Sequence, residues 1–367
     1  MSNPIKDLTA LGQSIWYDNI QRKLLENGEL AAMIERGDIR GVTSNPSIFQ
    51  NAIAKSNDYD AALVPLAKAG EDSESIFWQL AVKDIQDACD VFTSLYKETE
   101  GGDGYVSLEV SPYLANDTGG TIKQAKELWE RVNRPNLMIK IPATKAGLPA
   151  IRATIAAGIN VNVTLIFSIE RYREVMDAYM SGLEDRILAV GAEDKSSIEH
   201  VHSVASFFIS RLDSIVDKQL PAGSPLRGKI AIANAKIAFE TFQEVAGSPR
   251  FGKLQLARAN YQRPLWASTS TKDPAYRDTL YVDELIGPAT VNTVPPATLE
   301  AFKDHGKAAA TLTAGLAAAH RACADLEAAG VSLAQATQDL EDAGVKAFAD
   351  AFTGLLETIE ERRRDAA

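Results

Sequence analysis

Cysteine is nearly absent. Cys89 and Cys323 stand far apart, and neither belongs to a CxxC pair. A disulfide framework or a cysteine-based zinc site is therefore excluded as an organising feature, and a reducing cytosol is the natural setting. Histidine is scarce too. His200 and His202 sit two apart on an expected strand and so share a face, but no third ligand at matching spacing makes a metal pair of them. A structural or hydrogen-bonded role is expected for both. Glycine-rich phosphate loops are missing: there is no GxxxxGK[ST] and no GxGxxG, and Gly101-Gly102-Asp103-Gly104 reads as a turn before a strand.

Positive charge is in deficit, with 38 Lys and Arg against 49 Asp and Glu for a net charge of -11. That argues against a nucleic-acid or anionic-membrane partner, since both need basic patches, and requires any phosphate site to be local. Long apolar runs are missing as well. The longest uncharged stretch, Ala153 to Ile169, carries Gly158, Asn160, Asn162 and Thr164, so it is expected to be a buried strand with a lead-in, not a membrane helix. The opening MSNPIKDLTALGQ contains Asp7 and no apolar core, and reads as no signal peptide.

What is there is an alternation. Short apolar runs are expected as strands at Ser14–Ile20, Gly41–Pro46, Gly104–Val110, Asn136–Pro142, Ile159–Phe167, His200–Phe208, Leu265–Lys272 and Leu285–Val294. Amphipathic stretches such as Glu74–Tyr96 and Thr121–Val132 lie between them. Eight β-then-α units predict an α/β fold closed as a parallel (β/α)8 TIM barrel. The barrel is expected over roughly 14–300 of a single domain, with added C-terminal helices over roughly 301–367. There Ser332 and Gln335 form a capping-box pattern, and Val345, Phe348, Phe352 and Leu355 give one apolar stripe expected to pack on the barrel. Pro221–Gly228 and Gly247–Gly252 are expected as surface loops.

Barrel strands bury both faces. In Asn136–Pro142, Leu137, Ile139 and Ile141 suit the helix layer, which sends Lys140 inward. By the same alternation Ser107 and Glu109, and Asn162 and Thr164, point inside. Three consecutive strands thus put polar groups near their C-terminal ends, where barrel enzymes keep their chemistry. A lone apolar-flanked lysine fits a core ion pair with Glu109. With matching polar groups on the adjacent strands, a nucleophile is the better reading: burial disfavours an ammonium, and a neutral amine can attack a carbonyl to form a Schiff base.

At these residues the chain resembles transaldolase in its longer bacterial form. The matching fragments run in order along nearly the whole chain: YDNI, GVTSNPSIF, VSLEV, IKIPAT, VNVTLIFS, HSVASFFISRLD, RPLWAST and GPATVNTVP. The resemblance implies a class I aldolase barrel without metal or coenzyme. It implies transfer of a dihydroxyacetone unit from sedoheptulose 7-phosphate to glyceraldehyde 3-phosphate in the non-oxidative pentose phosphate pathway. By matched position, Lys140 would be the Schiff-base nucleophile and Asp18 the general acid/base at the cleaved bond. Glu109 and Thr164 would hold a proton-shuttling water. Asn45, Asn162 and Ser206 would bind the dihydroxyacetone hydroxyls, and Arg211 the phosphate.

One place departs from the pattern: relatives often carry glycine or arginine soon after the AS of the seventh strand, where this chain reads Ala267-Ser268-Thr269-Ser270-Thr271-Lys272. Ser268 and Lys272 are the expected phosphate ligands there. Sugar phosphates are the expected partners of a cytoplasmic monomer or homodimer. Two rivals remain at this level: a Schiff-base lyase acting on fructose 6-phosphate, and a barrel kept as an interaction platform.

Overall fold

β-Branched and aromatic residues crowd the short apolar runs, and in the computed structural model, which describes residues 3–190 and 198–366, those runs are strands. Among the described residues eight of them close in sequence order into a parallel barrel: β1 (Gln13–Tyr17), β2 (Gly41–Val42), β3 (Tyr105–Glu109), β4 (Leu137–Pro142), β5 (Val161–Ile166), β6 (Ser203–Phe208), β7 (Gln262–Ala267) and β8 (Thr290–Val294). Helices return the chain between strands, as in a TIM barrel. The first two residues of the expected leaderless N-terminus, and residues 191–197 and 367 of the expected single domain, lie outside the described residues.

Several strands differ from expectation at their ends. β2 is two residues long because Asn45 leaves the ladder to cap the helix Pro46–Ala54, its side-chain oxygen accepting from the Ile48 amide at 3.0 Å. β6 begins at Ser203, so His200 and His202 precede it. His200 is exposed beside Glu199, while the His202 ring packs 5.5 Å from that of Tyr105. Among the described residues no cluster of His, Cys, Asp or Glu could hold a metal ion. β7 begins three residues earlier than expected and ends five earlier, at Ala267, because Ser268, at φ 56°, turns the chain out of the sheet. Lys272 is therefore on a loop. The expected loop at Gly247–Gly252 is overturned: Ser248 accepts from the Phe251 amide, Pro249 takes the first helical position, and a helix runs Pro249–Leu256. No helix among the described residues is long and apolar enough to cross a membrane.

The lower half of the barrel is filled and tied. Gly41 has no room for a side chain, since a Cβ there would come within 2.7 Å of the Trp16 ring. Below that ring, buried Asp103 accepts from Ser14 Oγ at 2.7 Å, Trp16 Nε1 at 3.1 Å and Arg40 Nε at 2.6 Å, and pairs with Arg263 at 3.3 Å. One carboxylate thus joins β1, β7 and the turn before β3.

The C-terminal helix, Leu333–Ala366, runs 34 residues over the opposite end. Its apolar stripe buries Phe348, Phe352 and Leu355. Phe352 meets Phe77 edge-on at 5.3 Å and Tyr113 at 5.3 Å, a geometry that adds to plain burial. Arg171 pairs with Glu341 at 3.2 Å and Arg362 with Asp60 at 3.0 Å, one near each end of the helix. Only half of the expected capping box forms: the Gln335 amide donates to Ser332 Oγ, but its side chain turns forward to Asp339.

The Asp103 cluster predicts a stability effect without a change in chemistry. Asp103→Ala leaves two guanidinium groups unpaired. Both reach solvent in part, so the loss in unfolding free energy should be roughly 2–4 kcal/mol, at or below the cost of breaking a fully buried pair. Denaturant unfolding followed by circular dichroism measures it; a loss under about 0.5 kcal/mol, the scale of an ordinary surface substitution, would show that the floor does not depend on this carboxylate.

Candidate active site

Lys140 is the fourth of six residues in β4, all of them buried. The parallel register sets it beside Glu109 on one side and Asn162 on the other, and it pairs Pro142 with Thr164. Residues so paired share a face, which makes the inward reading of all four polar groups a property of the sheet. Lys140 itself is 5% exposed. Its Nζ donates to the Ser44 carbonyl at 3.2 Å, stands 3.5 Å from Glu109 Oε2, and has the Phe348 ring 5.7 Å away.

Glu109 is buried at the end of β3. Burial pushes its carboxyl up to about 7, against the opposing pull of Lys140 and with a further push from Asp18. Its Oε2 and the Thr164 Oγ1 are buried oxygens without a hydrogen-bond partner among the described residues. Buried polar atoms of this kind are uncommon and need a reason.

Asp18 follows β1, its amide held by the Val294 carbonyl at 2.8 Å. Its Oδ1 accepts from Thr43 Oγ1 at 2.7 Å, and Thr43 also shares a 2.5 Å hydrogen bond with Thr293. The carboxylate is thus fixed by side chains of β8 and the segment after β2 rather than by its own strand. Burial raises its pKa, opposed by Lys140, the Thr43 hydroxyl, Lys272 and Arg211.

Lys140, Thr164, Ser206 and Asp18 border one cavity of about 220 Å³ at the C-terminal end of the barrel. Arg211, half-buried at the start of the helix Ser210–Val216, lies over the Phe208 ring at 5.2 Å. Burial holds its pKa below the usual arginine value, and Asp18 partly restores it. Across the mouth, Lys272 is exposed at the rim and donates to Ser270 Oγ at 2.7 Å. Its ammonium is disfavoured by partial desolvation first and by Arg211 second. Among the described residues neither cation makes an ion pair.

Two backbone features shape this end. Leu165, at φ 60°, lies in a β5 bulge between Val163 and Ile166, and Ser268 is likewise left-handed. Strain of this sort collects at functional sites. Gly344 of the C-terminal helix passes so close to the bulge that a Cβ would meet Leu165 Cδ2 at 2.9 Å. The helix can therefore lie low enough for Phe348 to wall the cavity.

A family model described as transaldolase/fructose-6-phosphate aldolase matches residues 15–359, nearly the whole of the chain. The chain belongs to this family. A relative named transaldolase from Parafrankia sp. (strain EAN1pec) is 49% identical over the full length of both chains. Those from Mycolicibacterium smegmatis and Mycobacterium tuberculosis are 48% and 46% identical, covering 96% and 95% of this chain and 95% and 94% of their own.

Of the residues expected from sequence, this family member brings Asp18, Asn45, Lys140, Thr164, Ser206, Arg211, Ser268 and Lys272 to the one cavity. Glu109 and Asn162 sit a layer beneath it. Asn162 donates to Ser107 Oγ at 3.0 Å and accepts from Ser206 Oγ at 2.7 Å, so it meets the cavity through Ser206. Thr43, Thr293, Phe208 and Phe348 were not anticipated. Phe208 was within reach, being two residues from Ser206 on one strand. Phe348 was not, because a stripe on a distant helix carries no mark of where it docks.

The raised Glu109 carboxyl has a measurable sign. With a folded pKa of about 7 against an ordinary 4.5, the native state holds a proton that the unfolded chain has lost. The group's contribution to stability therefore falls as pH rises through that window. Glu109→Gln should flatten the decline, its unfolding free energy gaining on wild type between pH 5 and pH 7.5. Parallel pH profiles for the two proteins would mean that Glu109 does not titrate there.

Proposed function

We propose that the chain is a transaldolase, transferring a dihydroxyacetone unit from sedoheptulose 7-phosphate to glyceraldehyde 3-phosphate through a Schiff base on Lys140. The observation that carries the reading is the buried lysine amine on the cavity wall, 3.5 Å from a carboxyl poised near neutrality. The names of its relatives, nearly half identical over almost their full length, support transfer over the lyase.

The Lys140 amine attacks the C2 carbonyl of the ketose phosphate. Glu109 and Thr164, whose partnerless oxygens can both take a water, move the protons that expel hydroxide and leave a protonated imine. Asp18 then accepts the proton of the C4 hydroxyl, the C3–C4 bond breaks, and its electrons pass into the imine nitrogen as erythrose 4-phosphate departs. The remaining enamine attacks the acceptor aldehyde, Asp18 returns the proton to the new hydroxyl, and hydrolysis frees fructose 6-phosphate and Lys140. The Asp18 carboxyl, raised by burial, suits both directions of that transfer.

Ser206, whose proton is committed to Asn162, offers oxygen lone pairs to a donor hydroxyl. Asn45 has spent its oxygen on the helix cap and offers its amide nitrogen. Arg211, Lys272 and Ser268 receive the phosphate; two unpaired cations facing each other at one rim suit a dianion. The enzyme works in the cytoplasm without a coenzyme, as a monomer or homodimer.

Borohydride reduction with a ketose phosphate tests the assignment. Lys140→Arg should lose both turnover and the trapped adduct, and an adduct mapping to another lysine would overturn the reading. Asp18→Ala should lose about 10²–10⁴-fold in turnover, the usual share of general acid–base catalysis. It should still trap on Lys140, with the mass of the uncleaved ketose phosphate; accumulation of the three-carbon adduct at the normal rate would remove Asp18 from the cleavage step.

A further inference from the structure

The two rim cations sit on separate pieces of chain. Arg211 belongs to the helix Ser210–Val216, whereas Lys272 belongs to the loop that leaves β7. Arg211 opposes the charge of Lys272, so the two cations do not hold each other. The loop is tied at its start, where the Ser210 amide donates to the Ser268 carbonyl at 3.0 Å and Thr269 Oγ1 to Asn292 Oδ1 at 2.8 Å; beyond Lys272 the hold comes from behind. Past Arg211, the same stretch of chain carries Asp213 and Asp217, both buried. Asp217 Oδ2 accepts from the Tyr276 hydroxyl at 2.6 Å, and Asp213 Oδ2 from the Tyr281 hydroxyl at 2.8 Å.

Both acids are themselves fixed. The Ala231 amide donates to Asp213 Oδ1 at 2.8 Å, and the Gly228 amide donates to Asp217 Oδ1 at 3.1 Å. Gly228, at φ 69°, passes so close under Tyr276 that a Cβ would lie 2.8 Å from its ring. A second hollow, of about 410 Å³, opens along this seam and shares Lys272 with the cavity above Lys140. The loop is thus undercut by open space, spanned by the two phenol–carboxylate contacts and by a looser, partly exposed ion pair between Arg227 and Asp273 at 3.9 Å.

We propose that Tyr276, through Asp217, is a positioning residue for phosphate recognition: it anchors the β7 loop so that Lys272 faces Arg211 before substrate arrives. Tyr281 with Asp213 is the second, more deeply buried anchor, and fixes the loop's far end. The inference rests on the phosphate reading of Arg211 and Lys272 given above. It assigns to a residue outside the cavity the preorganisation that would otherwise have to come from the substrate's own binding energy. A loop freed from the anchor must be ordered against the repulsion of two like charges each time a phosphate binds, which weakens ground-state and transition-state binding alike.

Tyr276→Phe keeps the ring over Gly228 and removes only the hydroxyl. It should raise KM for a ketose phosphate about five- to fifty-fold, with kcat changed less than twofold. Borohydride trapping of unphosphorylated dihydroxyacetone on Lys140 should stay at the wild-type level, which a general loss of structure would not allow. Asp217→Asn, which leaves one acceptor oxygen for both the Tyr276 hydroxyl and the Gly228 amide, should raise KM in the same direction, and combining it with Tyr276→Phe should add little. Arg211→Ala serves as the control. If Arg211→Ala raises KM for the phosphorylated donor and Tyr276→Phe does not, the anchor is refuted and the phosphate reading stands. If Arg211→Ala affects phosphorylated and unphosphorylated donors equally, the phosphate reading itself fails. Equal losses on both donors in Tyr276→Phe would make Tyr276 a plain structural residue and refute the proposal.

Discussion

A lysine and a glutamate 3.5 Å apart and almost out of water set the terms for everything above the barrel's midline. Two such groups are costly to desolvate, and their attraction repays the cost only when geometry and further hydrogen bonds are good. Here the geometry is supplied by the parallel register that sets Glu109 beside Lys140, and the further hydrogen bond by the Ser44 carbonyl. The match is incomplete. Glu109 keeps a proton up to about neutral pH and leaves an oxygen without a hydrogen-bond partner among the described residues. A purely structural ion pair would be better satisfied, and the shortfall is what the proposed proton transfer would use.

Much of this was legible in the sequence because a strand's period of two is unambiguous. Leu137, Ile139 and Ile141 could face only the helices, so Lys140 had to face the barrel. The same logic placed Glu109 and Thr164, and the sheet register agrees. The ends of the strands were less legible, for local reasons. β2 stops where Asn45 turns to cap a helix, and β7 stops where Ser268 takes a left-handed conformation. Neither event changes the hydropathy of the run, so pattern alone carried both strands too far.

Layering inside the barrel was also beyond the pattern. Ser206 and Asn162 are both polar and both inward, yet one reaches the cavity and the other acts from beneath it, a difference set by their hydrogen bond and by the bulge in β5. The tyrosine anchors behind the Lys272 loop were hidden more deeply. They join residues 59 and 68 positions apart, and nothing in either segment marks the partner. The family match covers these residues as well, but it says what the chain resembles, not which contacts hold a loop.

The low passage of the C-terminal helix over the β5 bulge, made possible by Gly344, gives the cavity a wall that is not part of the barrel. The last strand ends at Val294, whereas Phe348 arrives on the final helix. A chain cut short before Phe348 would keep all eight strands and lose the aromatic cover over Lys140, so the closed sheet and the shelter of its lysine are encoded in separate stretches of sequence.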